Sequence, residues 1–536
     1  MGGRLRRGST AGKRAGYCES DAGRGCSSTL TAVTQAASSV WPFLPLIVLG
    51  LVLVFIFRRP KGLSEVWFTT GGAGLLLALG YLDAADVSAV LGQTAPTLAF
   101  LAGMLVVAFV AERAGVFQLL ADRMARRSGG SPVKLYVLLF LLGSATTIFF
   151  SLDTTAVTLT PIVLAIAARL GLPLLPFVWL AVYTSNAASL LLPVSNLTNL
   201  IAVGHYGIPF WEYARAMFWP AVFVLAFNLL FFVFLFRDQL KSGDRPSAPP
   251  EKPPDDHSAG ARLPDETFTR WVGVGLLALL SGLGLSPYLN WPLWQVSTVT
   301  ALLLTPLALG RRVITPLELV RSVSWNVIPF VFGLFLIIRA VEPGFYRLLE
   351  AAHLLTLLGE PQQAATAAGA VAVGRAATGA AAGVAAAAGA IGPGTAATGG
   401  GPVTAPAHTA AGGHGMMASG PDGVFDLVGA AARFAVLGAV SANLVNNLPA
   451  ELLFLDLTRP GPSLCGLLLG VNLGPNLTII GSLATILVLS LARQAGAVVS
   501  FRDYLRLGVL MTPALLLAAL AGVLVAAGLG WLPPAG

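Results

Sequence analysis

Two uncharged stretches carry the polar residues whose types and spacing could do chemistry in this chain of 536 residues. The first, residues 173–205, contains "YTSNAASLLLPVSNLTNLI", and the second, residues 463–492, contains "LLGVNLGPNLTIIGSLATIL". Each is longer than the about 20 apolar residues that span a bilayer core, and each is interrupted midway by Asn, Ser, Thr, Pro and Gly. Amide and hydroxyl side chains both donate and accept hydrogen bonds. Non-helical backbone at membrane depth is tolerated only where it is buried in protein or lines a cavity. The implied chemistry is non-covalent: stripping water from a small polar solute and holding it inside the membrane. Broken helices in corresponding halves of a membrane protein are the sequence sign of a transport site, so a secondary transporter is expected.

The elements that must position these residues are apolar throughout. Hydrophobic residues make up 55% of the chain and charged residues 11%, where a soluble domain carries roughly 25% charged, and the mean hydropathy is +0.77. The net charge of +8 belongs to loops, because basic residues collect on the cytoplasmic side of membrane proteins. It is no argument for a nucleic-acid partner. Cys18 and Cys26 lie in the N-terminal tail and Cys465 in an apolar run, a spacing that gives neither a disulfide framework nor a zinc site. No metal and no cofactor are expected.

Ten crossings read off as about 41–57, 64–82, 94–111, 173–205, 211–236, 271–288, 291–309, 325–341, 463–492 and 507–532. Arg58, Arg59 and Lys61, then Arg113 to Lys134, then the central run from Arg237 to Arg270, fall in alternate loops, which places those loops in the cytoplasm. The tail before the first span carries Arg4, Arg6, Arg7, Lys13, Arg14 and Arg24 yet lies outside in this scheme. Residues 134–169 hold "SLDTT" between two apolar arms and read as a re-entrant hairpin from the cytoplasm; residues 425–458, around "NLVNNLPAE", read as its counterpart from outside. The fold expected is an all-α polytopic membrane protein, an inverted repeat of five transmembrane helices plus one re-entrant hairpin per half. The divisions are a tail over 1–40, a first repeat over 41–237, a cytoplasmic linker over 238–270 rich in Pro, Asp and Lys, and a second repeat over 271–536. The second repeat contains a low-complexity Ala/Gly/Thr insertion over 361–423. Near its end stand His408, His414, Met416 and Met417, read as part of a flexible insertion rather than a metal tract. The breaks also align: Asn186, Leu191 and Leu197 recur as Asn472, Leu477 and Leu483, with Asn199 facing Thr485.

The candidate solute-binding residues are Asp153, Thr154 and Thr155 at the first tip, Asn186, Ser195, Asn196, Thr198 and Asn199 at the first break, Asn443, Asn446 and Asn447 at the second tip, and Asn472, Asn476, Thr478, Ser482 and Thr485 at the second break. No Arg or Lys lies among them. The alternative for any one of them is that small polar residues only join helices. Asp153 is the sharpest candidate, since an intramembrane carboxylate is costly and functional by default; it is expected to bind and release a coupling proton, or to cap the second arm of its hairpin. Glu451 and Asp456 are weaker, because they fall toward the outer surface. Cys465 reads as a small core residue.

The blocks "RRPKGLSEVWFTTGGAGLLLALG", "FFSLDTTAVTLTPIVLAIAARLGLP", "ASLLLPVSNLTNLIAV", "NLVNNLPAELL" and "LGPNLTIIGSLATILVL" resemble the arsenical pump membrane proteins, the arsenite and antimonite efflux permeases of the ion transporter superfamily. The chain departs from that pattern at Leu152, where the family usually has Asn before its Asp, and near Asn186, Asn472 and Asn476, where charged residues are common; these departures bear on the coupling ion. The resemblance implies export of arsenite or antimonite across the inner (cytoplasmic) membrane by exchange with protons, with the lipid bilayer as surroundings and a cytoplasmic arsenite-stimulated ATPase as a partner that some members recruit. Arsenite near neutral pH is an uncharged trihydroxide, which suits Asn, Ser and Thr.

A sodium- or proton-coupled carrier of another ion or a carboxylate is the competing reading. A membrane-embedded enzyme would need a metal cluster or activated nucleophile at membrane depth, and a nucleotide-driven pump a GxxxxGK[ST] loop; neither occurs in the sequence. The inverted topology gives a direct test. With Cys18 and Cys26 removed, a cysteine introduced at Gly399 is expected to react with an impermeant thiol reagent in intact cells, and one at Gly243 only after the membrane is opened. The reverse pattern would turn the scheme inside out.

Overall fold

A computed structural model of the chain describes residues 43–58, 63–242, 266–323, 325–351 and 421–533. The tail, most of the central linker, and residues 361–420 of the Ala/Gly-rich stretch with His408, His414, Met416 and Met417 lie outside the described residues. From Pro45 onward the described residues form one compact unit, and among them only helices, turns and loops occur.

In the first half these are α1 (Leu44–Arg58), α2 (Glu65–Ala78), α3 (Ala84–Arg113), α4 (Val116–Arg127), α5 (Pro132–Phe149), α6 (Leu152–Arg169), α7 (Leu174–Ala188), α8 (Leu197–Tyr206) and α9 (Phe210–Ser242). In the second they are α10 (Glu266–Leu289), α11 (Leu293–Gly310), α12 (Pro316–Ser322), α13 (Val327–Ala351), α14 (Pro421–Val445), α15 (Asn447–Phe454), α16 (Pro462–Leu473), α17 (Leu483–Gln494) and α18 (Phe501–Gly528). Among the described residues nine helices are long and apolar enough to cross a membrane. The third span begins ten residues before its expected start at 94, at Ala84, because Asp83 and Asp86 close a capping box on "LDAADVS" and turn that loop into the first turns of α3.

Both expected helix breaks are present, and they share a backbone. Leu192 (φ −117°, ψ 151°) and Asn196 (φ −146°, ψ 145°) bracket a 3-10 turn over Pro193–Ser195. Thr478 (φ −132°, ψ 153°) and Ser482 (φ −144°, ψ 137°) bracket another over Ile479–Gly481. In each, the third turn residue donates its N–H back to the bracketing carbonyl, Ser195 to Leu192 and Gly481 to Thr478, both at 3.2 Å. The backbone thus carries the register read from Asn186/Asn472 and Leu197/Leu483. The polar tips are breaks as well. Ser151 caps α6, its Oγ accepting from the Thr154 N–H at 3.2 Å, and α6 continues through a π-helical turn over Thr155–Leu159, a feature that clusters at functional sites. Asn446, at φ 77° and ψ 160°, separates α14 from α15 in a backbone region that is otherwise left to glycine.

Contacts between the halves come in exchanged pairs. Helix α2 packs on α13 and α3 on α11, so the second span of each half meets the third span of the other. A Cβ at Gly333 of α13 would stand 3.0 Å from the Thr69 carbonyl carbon of α2, and one at Gly103 of α3 would stand 2.8 Å from that of Ser297 of α11. The half-helix after each break does likewise: α17 packs on α6 and α7, and α8 on α15 and α16. The final helices α9 and α18 lie against one another, with Gly522 admitting Pro220.

Ion pairs and hydrogen bonds gather at two ends of the bundle. At one end Arg169 pairs with Asp122 at 3.1 Å, Arg113 with Glu318 at 3.4 Å, and Thr269 donates to the Ala114 carbonyl at 2.7 Å. Two hydrogen bonds from Thr315 hold the exposed Glu318 carboxyl below the usual carboxylate range. At the other end Arg339 pairs with Asp86 at 3.5 Å, His205 with Asp456 at 3.1 Å, and Tyr206 donates to the Leu455 carbonyl at 2.7 Å. Each group joins residues that the positive-inside scheme puts on the same side.

The tightest helix pair is α14 on α16. A Cβ at Gly466, Gly470 or Gly474 would stand 2.1 Å from the Ala431 carbonyl oxygen, 2.3 Å from that of Ala435 and 2.5 Å from the Ala439 Cα. Spacing by four on both helices makes this a small-residue seam of the kind that lets backbones approach inside membranes. In the first half Leu180, Thr184 and Ala188 occupy the corresponding places, and a Cβ at Gly143 of α5 would stand 3.3 Å from Thr184 Cγ2. Gly470→Leu is therefore expected to cost on the order of 3 kcal/mol through overpacking, seen as a lower Tm and a poorer yield of monodisperse protein in detergent. Gly92→Ala, where nothing lies within 4 Å, should be neutral or slightly stabilising.

Candidate functional site: a polar centre where the breaks meet

An asparagine on each broken helix reaches into the break of the other half. Asn472, near the end of α16, accepts at Oδ1 from Ser189 Oγ (3.2 Å), Thr198 Oγ1 (3.4 Å) and Asn196 Nδ2, all of the first break. Its Nδ2 donates to Asn199 Oδ1 at 3.0 Å and back to the Leu468 carbonyl at 2.7 Å. In the opposite direction Asn186, near the end of α7, donates from Nδ2 to Asn476 Oδ1 at 2.9 Å and to Thr485 Oγ1 at 3.4 Å. Asn472 to Asn199 and Asn186 to Thr485 are thus the same contact made once from each side. Every one of these residues is buried.

The two ends of the centre differ in how completely they are satisfied. The first break is closed on itself: Asn199 Nδ2 donates to the Ser189 carbonyl at 2.6 Å and Ser195 Oγ to the same carbonyl at 2.6 Å. At the second break Asn476 Nδ2 is buried with no partner. The Tyr183 hydroxyl is also buried without one, and Tyr183 packs on Trp179, which also packs on Tyr504. Buried polar atoms without partners are uncommon and call for an explanation. A small solute carrying several hydroxyls is one occupant that would supply the missing bonds.

The remaining candidates distribute around this centre. Asn443 joins α14 to the second break: its Nδ2 donates to the Gly474 carbonyl at 2.7 Å and its Oδ1 accepts from Thr478 Oγ1 at 2.7 Å. Asn446 is the buried tip residue itself, and Asn447 Oδ1 accepts the Leu448 N–H at 3.0 Å. Ser482 is buried at the start of α17 and makes no side-chain cap. Thr155 shares a hydrogen bond of 2.8 Å with Thr147 across the first hairpin, and Thr154 one of 3.1 Å with Ser151. Asp153 is exposed and lies in the first turn of α6, where a carboxylate favours the helix dipole, but the cap is Ser151. Cys465 is buried in an apolar lining with Ile208, Tyr213, Met217 and Leu468. Asp456 reaches the surface as its pair with His205, whereas Glu451 is wholly buried.

Ser189 was not singled out by sequence. Its signal was available, as the last polar residue before the uninterrupted "LLLP", but nothing in the sequence says that it turns toward the other half. Tyr504 was hidden as an aromatic in an apolar helix. None of the hydrogen bonds at the two breaks involves a charged side chain among the described residues.

Long apolar helices, two apolar segments interrupted midway, and an uncharged polar centre where the interruptions meet define a multi-pass membrane transporter. Comparison with known proteins agrees. The family model described as "Citrate transporter" matches residues 52–419, and that described as "Arsenical pump membrane protein" matches residues 427–527. The arsenical pump membrane protein of Escherichia coli (strain K12) is 26% identical over 487 residues, which covers 88% of this chain and 96% of that protein. An uncharacterized transporter of Mycobacterium tuberculosis is 24% identical over 469 residues, covering 86% of this chain and 93% of that one. Among solved structures, the YdaH transporter of Alcanivorax borkumensis aligns with a TM-score of 0.49 at 16% identity, over 90% of this chain and 100% of that chain. The chain belongs to the citrate transporter family within the ion transporter superfamily, to which the arsenical pump membrane proteins that it resembles also belong.

The unequal satisfaction of the two ends can be measured. Asn472→Ala strands Asn199 Oδ1 and the donors of Asn196 and Thr198, and the cost is expected to be on the order of 3 kcal/mol. Asn186→Ala, which removes donors from an end already short of partners, should cost about 1 kcal/mol. Thermal unfolding in detergent gives both values. Equal losses would mean that the second break is as closed as the first.

Proposed function

We propose that this protein is a secondary active carrier that exports arsenite or antimonite across the cytoplasmic membrane, in exchange for protons, by alternating access. The observation that carries the reading is the chemistry of the centre: buried amides and hydroxyls from both breaks, unpaired polar atoms at one end, and no cation bonded there among the described residues. A neutral trihydroxide of arsenic or antimony needs that surface. A citrate-like anion would ask for Arg, Lys or strongly dipolar partners. The name of the E. coli relative supports the same substrate.

In this reading the halves have opposite orientation in the bilayer, and α5–α6 and α14–α15 are re-entrant hairpins. Supporting it are the exchanged helix pairs and the gathering of end contacts on two sides. The tie of Arg169, the last residue of α6, to Asp122 of α4, the helix that leads into α5, supports a hairpin that returns to the side it entered from. Asp153 is the proposed proton carrier, an exposed carboxyl beside the π-helical turn on which α17 packs. Any nucleotide drive would come from a separate cytoplasmic ATPase.

A carboxylate carrier is the second reading, favoured by the citrate transporter match over residues 52–419. Everted vesicles separate the two. Arsenite is expected to accumulate when the vesicle interior is acid, without ATP, and to leak away on adding a protonophore, while citrate stays outside. Asp153→Asn keeps the shape and removes the titrating group, so gradient-driven accumulation should fall at least tenfold with the protein still in the membrane. Citrate uptake without arsenite uptake would overturn the substrate, and full accumulation by Asp153→Asn the coupling role.

A further inference from the structure

A second acid lies inside the bundle in a setting unlike that of Asp153. Glu451 of α15 has no exposed surface, and neither of its carboxyl oxygens meets a hydrogen-bond partner. Four residues after Asn447, it lies on the same face of α15, one turn behind the tip of the second hairpin, at about 6 Å between Cβ atoms. Tyr213 of α9 lies within its electrostatic reach, and the Tyr213 hydroxyl donates to the Leu190 carbonyl of the first break at 3.1 Å. Glu451 thus stands between the second tip and the first break.

The other ionisable groups on elements packed against α15 are engaged elsewhere or turned away. On α13, Arg339 bonds Asp86 and Glu342, and Tyr346 interacts with Asp456. On α8, His205 pairs with Asp456 and Tyr206 bonds the backbone at Leu455 and Thr458. On α14, Asp426 and Arg433 are exposed, and on α16 the Cys465 thiol sits in an apolar lining. A buried carboxylate with no cation and no hydrogen-bond donor is not sustained in a protein interior; a neutral carboxylic acid is. A metal or sodium ion would need several oxygen ligands, and among the described residues no cluster of acids, His or Cys forms one.

We propose that Glu451 is a proton-binding site of the carrier: it holds a proton while α15 is packed as described, and releases it to water when the second hairpin moves during transport. This rests on the reading of the hairpin tips as the moving substrate site, and it adds a sealed acid in the second half to the exposed acid of the first. The cargo in that reading is neutral, so the coupling charge has to be carried by the protein, and a carboxyl one turn from the tip travels with it.

Dicyclohexylcarbodiimide tests the proposal without arsenite, because this apolar reagent adds to protonated carboxyls in apolar surroundings. In full-length wild-type protein in lipid vesicles at pH 7.5, peptide mass spectrometry is expected to find the adduct on Glu451, labelling should fall as pH is raised, and sodium should have no effect. Glu451→Gln, of the same shape but permanently neutral, should lose the adduct and lower proton-driven accumulation at least tenfold; Glu451→Asp should restore part of both. Failure of arsenite to be the substrate would leave the labelling intact, which separates the two conclusions. Folded wild-type protein with no adduct at Glu451, labelling that sodium suppresses or that does not fall as pH is raised, or undiminished accumulation by Glu451→Gln would overturn the assignment.

Discussion

A helix that stops halfway through a bilayer leaves backbone amides and carbonyls that lipid cannot satisfy, and this chain interrupts two helices where they meet one another. What makes that tolerable is the exchange of asparagines. Asn472 enters the first break and collects Ser189, Asn196, Thr198 and Asn199 around one amide, while Asn186 enters the second and meets Asn476 and Thr485. Amides suit this role because each both donates and accepts, so one side chain can bridge an unwound segment without introducing charge. The packing of α17 on α6 and α7, and of α8 on α15 and α16, brings the half-helices into the position where the exchange can occur.

The exchange is symmetric in its partners and unequal in its strength. In the second half the seam of Gly466, Gly470 and Gly474 against Ala431, Ala435 and Ala439 fixes the hairpin to its broken helix at backbone distance, and Asn443 adds bonds to Gly474 and Thr478. The corresponding surface of α7 carries Leu180 and Thr184 and cannot be approached so closely. The tightly built arm therefore presents Asn472, whose bonds are complete, while Asn476 Nδ2, at the break that Asn186 of α7 enters, lacks a partner. Rigidity at one end and unmet hydrogen-bonding capacity at the other is what a site needs if it is to hold a solute and then change shape.

Much of this was legible in the sequence because Pro, Gly and Asn inside an uncharged run have few uses at membrane depth. "LLPVSN" and "TIIGSL" gave both breaks with their register, and the tips at "SLDTT" and "NLVNNLPAE" followed for the same reason. The less legible features depend on rotation about a helix axis or on pairing between distant segments. The loop "LDAADVS" hid a helix start because Asp83 and Asp86 are acidic in composition but a capping box in geometry. Capping of α6 was the alternative reading of Asp153, but Ser151 stands at the residue where the chain is still extended and turns its oxygen onto the Thr154 amide. Glu451 and Asp456 read alike as acids beyond the second tip. Five residues of helix and 3-10 turn take one to the surface beside His205 and leave the other enclosed. The glycine seam pairs residues 35 apart, such as Gly466 with Ala431, and a list of small residues does not reveal which partner each one meets.

The absence of charge from the centre has a consequence for where coupling can reside. If cargo and site are both neutral, nothing in the binding step senses the membrane potential or the proton gradient, and any ion that drives the cycle must act on the protein through a group that moves with the site. The two breaks supply no such group, since their hydrogen bonds are made among amides, hydroxyls and backbone. The carboxyls closest in sequence to the two tips are Asp153, two residues past Ser151, and Glu451, five past Asn446. In the proposed cycle an acid within a turn or so of each tip would keep charge out of the place where a neutral solute binds, yet tie its protonation to the motion of the tip.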